Sequence, residues 1–337
     1  MVWLKFLLCL AIVLFSGTKL AQYGDSIARK TGLGGIWIGL VLVAAITSMP
    51  ELTTGVSAAA LVSPEVGSDL AVGTLFGSCI FNLTILALLD ILHRPTPILS
   101  EVSLRHVASA AAGILLVAIA AGSILAGEGL SRLTLGWVGI PSIVILILYL
   151  VAVRQMFYFE RSYFTPQLEA TSPKYTGIPL RTVYLRFVLA AVAVIGAGIW
   201  LSLIGDEIAA TYNWDAGFVG SLFLAVTSSM PELVVSIAAL RLGAFDMAVA
   251  DILGSNMFNI AIIAPIDLFY AQGAILSSVS DAHLITAAVA IVMSLLVIIG
   301  LRFRQKRKTF FIISWYALAL IGLYIFGFYV LFISGMV

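Results

Sequence analysis

One short stretch occurs twice in this chain, each time within a long apolar segment. Residues 47–52 read TSMPEL and residues 228–233 read SSMPEL. A glutamate at bilayer depth is costly and marks a functional site by default, and a proline frees the carbonyl one turn back. Such broken backbone is tolerated in a membrane only where it faces protein or a water-filled cavity. We therefore predict that function resides at these two stretches.

The composition is that of an integral membrane protein. The 337 residues are 61% hydrophobic and 10% charged, with a mean hydropathy of +1.12, whereas soluble domains contain about 25% charged residues. Apolar runs near the roughly 20 residues that cross a bilayer as a helix predict an all-α fold with ten transmembrane helices. The predicted spans lie at about 3–21, 34–62, 69–92, 104–126, 133–155, 182–204, 215–241, 245–270, 281–301 and 309–334.

The two halves of the chain repeat each other. An offset of 181 pairs residues 24–28 (GDSIA) with 205–209 (GDEIA) and also pairs the two proline-glutamate stretches. Further on the offset is 177, and residues 69–82 and 246–259 are identical at seven of fourteen positions. Because five spans per copy is an odd number, the copies should be inverted, with a site between them at the midplane. The predicted units are a first copy at 1–155, a cytoplasmic linker at 156–181, and a second copy at 182–337.

Basic residues predict the orientation of the chain. Sixteen of the eighteen lysines and arginines fall on one side of the ten-span pattern, and only Lys5 and Arg132 fall on the other. Since positive charge marks the cytoplasmic side, we expect a multi-pass protein of the cell membrane with both termini outside. The expected partners are the lipid bilayer and transported ions, not nucleic acid. A monomer is compatible with the sequence.

Polar side chains recur at helical spacing in four of the spans. In spans 2 and 7, hydroxyls precede the glutamate by three or four residues, on one helix face. In spans 3 and 8, a serine and an asparagine stand four apart, and Asp251 lies one turn earlier in span 8. These candidate site residues are Thr47, Ser48, Glu51, Ser78, Asn82, Ser228, Ser229, Glu232, Asp251, Ser255 and Asn259.

The chemistry of this set favours cations. Oxygen ligands that include carboxylates suit calcium, and smaller hydroxyl and carbonyl sites suit sodium. Serine, threonine and asparagine also join helices by hydrogen bonds, which is the simpler interpretation of isolated ones. Glu51 and Glu232 are poor candidates for that role without a cation. A site that becomes neutral by binding cations suits an antiporter, because an empty site would leave charge at low dielectric.

These motifs resemble those of the calcium/cation antiporter superfamily, the family of sodium/calcium exchangers. Its two alpha repeats carry G-T-S-x-P-E and G-S-N-x-x-N/D, which here read ITSMPE (46–51) with GSCIFN (77–82), and TSSMPE (227–232) with GSNMFN (254–259). The resemblance implies that Glu51 and Glu232 are the central calcium ligands. Further ligands of calcium and sodium would be Thr47, Ser228, Ser48, Ser78, Asn82, Ser229, Ser255 and Asn259.

The resemblance also implies a mechanism without a cofactor. Calcium and sodium would be bound only as transported ions, and the protein would be a transporter rather than an enzyme. Members of the family alternate access by sliding spans 1 and 6 across a rigid core. The first and sixth spans of this chain are matched by the repeat, as that motion requires.

The chain departs from the family pattern at several positions. Ile46 and Thr227 replace the glycine before the Thr-Ser pair, and Asn259 stands where some members have aspartate. A family asparagine is replaced by Thr74 in the first copy and by Asp251 in the second. We hypothesise that Asp251 restores the charge that is missing at Asn259.

Two further aspartates lie two turns beyond the motif asparagines, at opposite faces of the predicted membrane. These residues, Asp90 and Asp267, either attract cations at the inner and outer mouths or are solvated at the interface. The pattern alone does not choose between these roles.

Exchange of calcium for sodium is the leading functional interpretation. A proton-coupled exchanger of calcium or another divalent cation is the main alternative, because buried carboxylates can titrate. A passive cation channel would also use acidic residues. An intramembrane hydrolase would need a base beside Ser48 or Ser229, and no histidine or lysine is predicted there.

Overall fold

The computed structural model describes residues 2–94, 96–127, 129, 133–163, 178–211 and 221–334. Helices make up most of this part of the chain, joined by short loops and one two-stranded hairpin. The helices are α1 (Val2–Thr31), α2 (Gly35–Thr47), α3 (Met49–Leu61), α4 (Pro64–Leu92), α5 (Ile98–Glu101), α6 (His106–Ala126), α7 (Ile140–Tyr163), α8 (Leu180–Thr211), α9 (Ser221–Ser228), α10 (Met230–Arg241), α11 (Phe245–Ala261), α12 (Ile263–Phe269), α13 (Ala282–Arg302) and α14 (Trp315–Ser334). The hairpin pairs β1 (Thr134–Leu135) with β2 (Val138–Gly139).

Seven helical segments of the described chain are long and apolar enough to cross a membrane, or eight when the bent pair α2–α3 is counted as one span. The protein is therefore a multi-span membrane protein, and the count of ten stays a prediction. Most of the predicted linker, residues 164–177, lies outside the described residues, as do Arg132 and the start of the seventh predicted span. Helix α7 continues to Tyr163, past the predicted boundary at residue 155.

The two proline-glutamate stretches break their helices in the same way. Between α2 and α3, Ser48 has φ −88° and ψ 10°, and between α9 and α10, Ser229 has φ −86° and ψ 11°. Each proline occupies the first turn of the helix that follows, where its missing donor is tolerated. Helix α3 is bent by 41° from α2. The repeated sequence therefore interrupts the helix at the same position in both copies.

Helices α4 and α11 form the centre of the molecule, and fourteen of the seventeen residues of α11 are buried. They are tied at one crossing, where the Asn256 amide donates to the Cys79 carbonyl at 3.1 Å. Helix α2 also packs closely on α11, since a Cβ added to Gly254 would lie 2.3 Å from the Leu40 carbonyl oxygen. This part of α2, Ile38–Val43, is π-helical.

Helices α1 and α8 pack against each other and against the helices on either side of the two breaks, α2, α3, α9 and α10. The Cys9 thiol of α1 donates to the Ala197 carbonyl of α8 at 3.0 Å. At one end, the Lys5 ammonium and the Glu207 carboxylate form an ion pair at 2.8 Å. These two helices are the predicted first and sixth spans.

Two histidine-aspartate pairs join the copies to each other. His106 Nε2 lies 2.8 Å from Asp246 Oδ1, and His283 Nε2 lies 3.4 Å from Asp69 Oδ1. The offset of 177 relates the two histidines and the two aspartates. Each pair therefore links the start of a helix in one copy to the start of a helix in the other.

Asp90 and Asp267 are fully buried and hold loops together, so both roles suggested by the sequence are wrong. Asp90 accepts hydrogen bonds from the Ile98 and Ser314 amides and from the Tyr316 hydroxyl. Asp267 accepts them from the Gly139 and Ile275 amides and the Ser142 hydroxyl. The physical reason is that buried loop amides need acceptors, and a carboxylate at the end of each helix supplies several.

We expect Asp267→Ala to lower the free energy of unfolding by about 3 kcal/mol or more, because each buried donor left without an acceptor costs about 1–3 kcal/mol. Asp90→Ala should cost more, since it also removes the carboxylate that lies 3.7 Å from the Lys308 ammonium. Thermal unfolding in detergent measures both effects. The matched control is Asp281→Ala, at an exposed position with no capping hydrogen bond. Equal unfolding temperatures for all three variants would contradict this role.

Candidate functional site

The helix breaks set the positions of the two glutamates. Glu51 lies in the first turn of α3 and Glu232 in the first turn of α10. The positive end of a helix dipole favours a carboxylate there, so local structure partly offsets the cost of burying each charge. Both side chains are fully buried.

Each glutamate is bonded to the serine of the other copy. The Ser229 hydroxyl donates to Glu51 Oε1 at 2.8 Å, and the Ser48 hydroxyl donates to Glu232 Oε1 at 2.8 Å. The Ser78 hydroxyl of α4 adds a third contact, at 3.3 Å to Glu51 Oε1. Because the contacts cross between the copies, the duplicated stretches form one site.

Six buried polar atoms beside this site have no hydrogen-bond partner. They are Oε2 of Glu51, Oε2 of Glu232, and the oxygen and nitrogen atoms of the Asn82 and Asn259 amides. Buried polar groups in native proteins are almost always satisfied, so such exceptions need an explanation. Four of these atoms are oxygens that a hard cation could bind.

Asp251 lies in a neighbouring network of hydroxyls. The Ser236 hydroxyl donates to Asp251 Oδ2 at 3.0 Å, and the Thr47 hydroxyl lies 3.4 Å from Asp251 Oδ1 and 3.4 Å from Ser255 Oγ. Ser236 was not among the predicted site residues. Its spacing, one turn after Glu232, could have indicated it, although its counterpart in the first copy is Gly55.

All eleven predicted site residues are buried, with exposures of 0 or 1%. The structure brings Ser48, Glu51, Ser78, Ser229 and Glu232 together by hydrogen bonds, and groups Thr47 and Ser255 with Asp251. Asn82 and Asn259 lie one turn from Ser78 and Ser255 on their helices. The Ser228 hydroxyl donates to the Ala225 carbonyl at 3.2 Å within its own helix.

No cationic side chain in the described part of the chain forms an ion pair with the carboxylates of Glu51, Glu232 or Asp251. In the same part of the chain, no group of three or more His, Cys, Asp and Glu side chains is arranged to hold one metal ion. The paired glutamates and Asp251 are therefore two distinct features of the site. Both bury carboxylate oxygens, and burying a charge is costly unless it is compensated.

The chain belongs to the sodium/calcium exchanger protein family, whose model matches residues 1–157 and 182–335. The matched ranges include all the residues of the site. The protein is thus a membrane protein of an ion-exchanger family.

Two relatives and one solved structure are similar to this chain over most of its length. The chain is 30% identical over 273 residues to the inner membrane protein YrbG of Escherichia coli (strain K12), covering 79% of each chain. It is 26% identical to the putative antiporter CaxA of Alkalimonas amylolytica, covering 83% of this chain and 84% of that one. Its fold matches the sodium-calcium exchanger NCX_Mj with a TM-score of 0.71 at 21% identity, over 97% of this chain and 98% of that one.

We expect calcium to stabilise the purified protein and this stabilisation to be lost in Glu51→Gln and Glu232→Gln. A ligand at 100 times its Kd stabilises the folded state by about 2.7 kcal/mol, and each variant removes one of the two paired charges. Thermal unfolding with and without calcium measures the effect. The control Glu101→Gln changes an exposed glutamate and should keep the full calcium response. A calcium-induced shift that survives in both site variants would contradict the assignment.

Proposed function

We propose that this protein exchanges calcium for sodium across the membrane by alternating access. The observation that carries the proposal is the pair of buried glutamates, bonded across the copies by Ser48 and Ser229 and flanked by unpartnered oxygens. Two carboxylates offer the charge that a divalent cation needs, and the neighbouring hydroxyls and amides offer further oxygens. Membership of the exchanger family supports the same reaction.

The proposed ligands divide between two ions. Glu51 and Glu232 hold calcium, assisted by Thr47 and Ser228. The oxygens of Asn82, Asn259, Ser78 and Ser255 complete the calcium and sodium positions together with Ser48 and Ser229. Asp251 supplies the third negative charge, in place of the aspartate that some members carry at the position of Asn259.

The proposed architecture is ten spans in two inverted copies in the cell membrane, with both termini outside. Contacts related by the repeat offset support it, including the serine-glutamate bonds and the histidine-aspartate pairs. The distribution of basic residues supports the orientation.

The coupling ion decides between the proposal and its main alternative. In proteoliposomes loaded with sodium, we expect outward sodium to drive uptake of calcium, and a pH gradient alone to drive none. Uptake that follows the pH gradient and ignores sodium would establish proton-coupled exchange instead. Calcium flux that needs no counter-ion would establish a channel. The background rate of calcium uptake is measured in vesicles that contain the double variant Glu51→Gln/Glu232→Gln.

Alternating access is supported by a difference between the contacts that α1 and α8 make with the helices that follow the two breaks. A Cβ on Gly17 of α1 would lie 2.9 Å from Val234 Cγ1. A Cβ on the matching residue of α8, Gly198, would lie 2.5 Å from Pro50 Cγ and 3.2 Å from Pro231 Cγ. Pro50 corresponds to Pro231 in the second copy, and Val234 lies three residues beyond Pro231. Gly17 and Gly198 therefore contact equivalent helices at positions about one helical turn apart.

A second matched pair shows the same displacement. A Cβ on Gly24 would lie 3.5 Å from Val43 Cγ2, whereas one on Gly205 would lie 2.8 Å from Thr227 Oγ1. Thr227 corresponds to Ile46, three residues past Val43. If each copy adopted the contacts of the other, α1 and α8 would both move toward the outside by about 5 Å. We propose this motion as the step that exchanges access.

We expect Gly198→Ala to slow turnover by about tenfold or more while leaving calcium affinity within about threefold, because the added methyl meets both prolines over which α8 must slide. Gly196→Ala is the matched control, since a Cβ there has nothing within 4 Å. Initial rates of sodium-driven calcium uptake and equilibrium calcium binding separate the two effects. Equal rates in the two variants would contradict the sliding contact.

A further inference from the structure

We propose that Asp251 and Ser236 form, with the hydroxyls of Thr47 and Ser255, a separate position for a sodium-sized monovalent cation that only the second copy provides. This inference rests on the proposed exchange function and assigns one ion of that site. Ser236 Oγ lies 3.0 Å from Asp251 Oδ2, and Thr47 Oγ1 lies 3.4 Å from both Asp251 Oδ1 and Ser255 Oγ. One carboxylate and three hydroxyls from three different helices thus converge.

The first copy lacks this arrangement. The counterpart of Asp251 is Thr74, whose hydroxyl donates to the Leu70 carbonyl of its own helix at 2.7 Å. The counterpart of Ser236 is Gly55, and a Cβ there would lie 2.4 Å from Ile266 Cδ1. The space next to Gly55, which matches the position of Ser236, is therefore occupied by an apolar side chain in the first copy.

A bound cation would compensate the charge of the Asp251 carboxylate. The side chain is 1% exposed, and it pairs with no lysine, arginine or histidine in the described part of the chain. Hydroxyl donors orient a carboxylate but leave its net charge, and an uncompensated charge in the interior costs several kcal/mol. A cation beside Asp251 would remove this cost.

The charge and position of this network favour a monovalent ion. A single carboxylate with neutral oxygens reaches neutrality with one positive charge, whereas calcium takes six to eight oxygens and matches the two glutamates. Asp251 precedes Ser255 by one turn, about 6 Å along α11. The monovalent ion would therefore lie beside the calcium position, toward the start of α11.

The test compares three variants of the full chain in proteoliposomes. Asp251→Asn removes the charge and keeps the shape, and Ser236→Ala removes one hydroxyl. Thr74→Val is the matched control in the first copy, where the hydroxyl bonds only within its helix. For each variant, the Hill coefficient and half-saturation for sodium are measured in calcium efflux, and the calcium Kd is measured without sodium.

We expect Asp251→Asn to lower the sodium Hill coefficient by about one and to raise the half-saturating sodium concentration by about tenfold, with the calcium Kd changed by less than about fivefold. Ser236→Ala should raise the half-saturating concentration by about threefold, and Thr74→Val should change neither quantity. A large loss of calcium affinity in Asp251→Asn with unchanged sodium cooperativity would overturn the proposal. An Asp251→Asn variant identical to wild type would overturn it as well.

A second measurement keeps this inference separate from the exchange function. Sodium-dependent thermal stabilisation of the calcium-free protein, with choline as the reference ion, requires no gradient and no flux. We expect the sodium response of the wild type to be reduced by at least about half in Asp251→Asn. Wild-type protein without sodium-driven flux would refute exchange, whereas an unreduced sodium response in Asp251→Asn would refute the Asp251 site.

Discussion

The structure depends on the cost of burying Glu51 and Glu232, which form no ion pair with a basic side chain in the part of the chain that the structure describes. Glu51 and Glu232 begin the helices that follow the two breaks, so each gains a helix N-terminus and one serine from the opposite copy. These contacts offset part of the cost and leave the net charge. In the proposed mechanism the remaining charge favours cations, and the proline breaks allow polar groups to face the site.

The same chemical group has a different role elsewhere in the fold. Asp90 and Asp267 are also fully buried, but their oxygens are occupied by loop amides and hydroxyls, so they act as structural acceptors. At the site, by contrast, carboxylate and amide oxygens remain without partners. Oxygens without hydrogen-bond partners, rather than burial, therefore distinguish Glu51 and Glu232 from Asp90 and Asp267.

Much of this arrangement could be predicted from the sequence because the motif is duplicated and contains residues that apolar segments rarely carry. The kinks, the burial of Glu51 and Glu232 and the family followed from that pattern. The roles of Asp90 and Asp267 could not, because some of their partners come from loops more than one hundred residues away, such as Ser314 and Gly139. Ser236 was missed because the first copy has glycine there, so a search for matched residues passes over it.

In the proposed exchange, calcium and sodium compete for one buried set of carboxylates. The test is equilibrium calcium binding to the purified protein, titrated at several sodium concentrations with choline replacing sodium. We expect the apparent calcium Kd to rise steeply, with more than first-order dependence on sodium, and pH-matched choline to have no effect. A calcium Kd that is the same at every sodium concentration would contradict it.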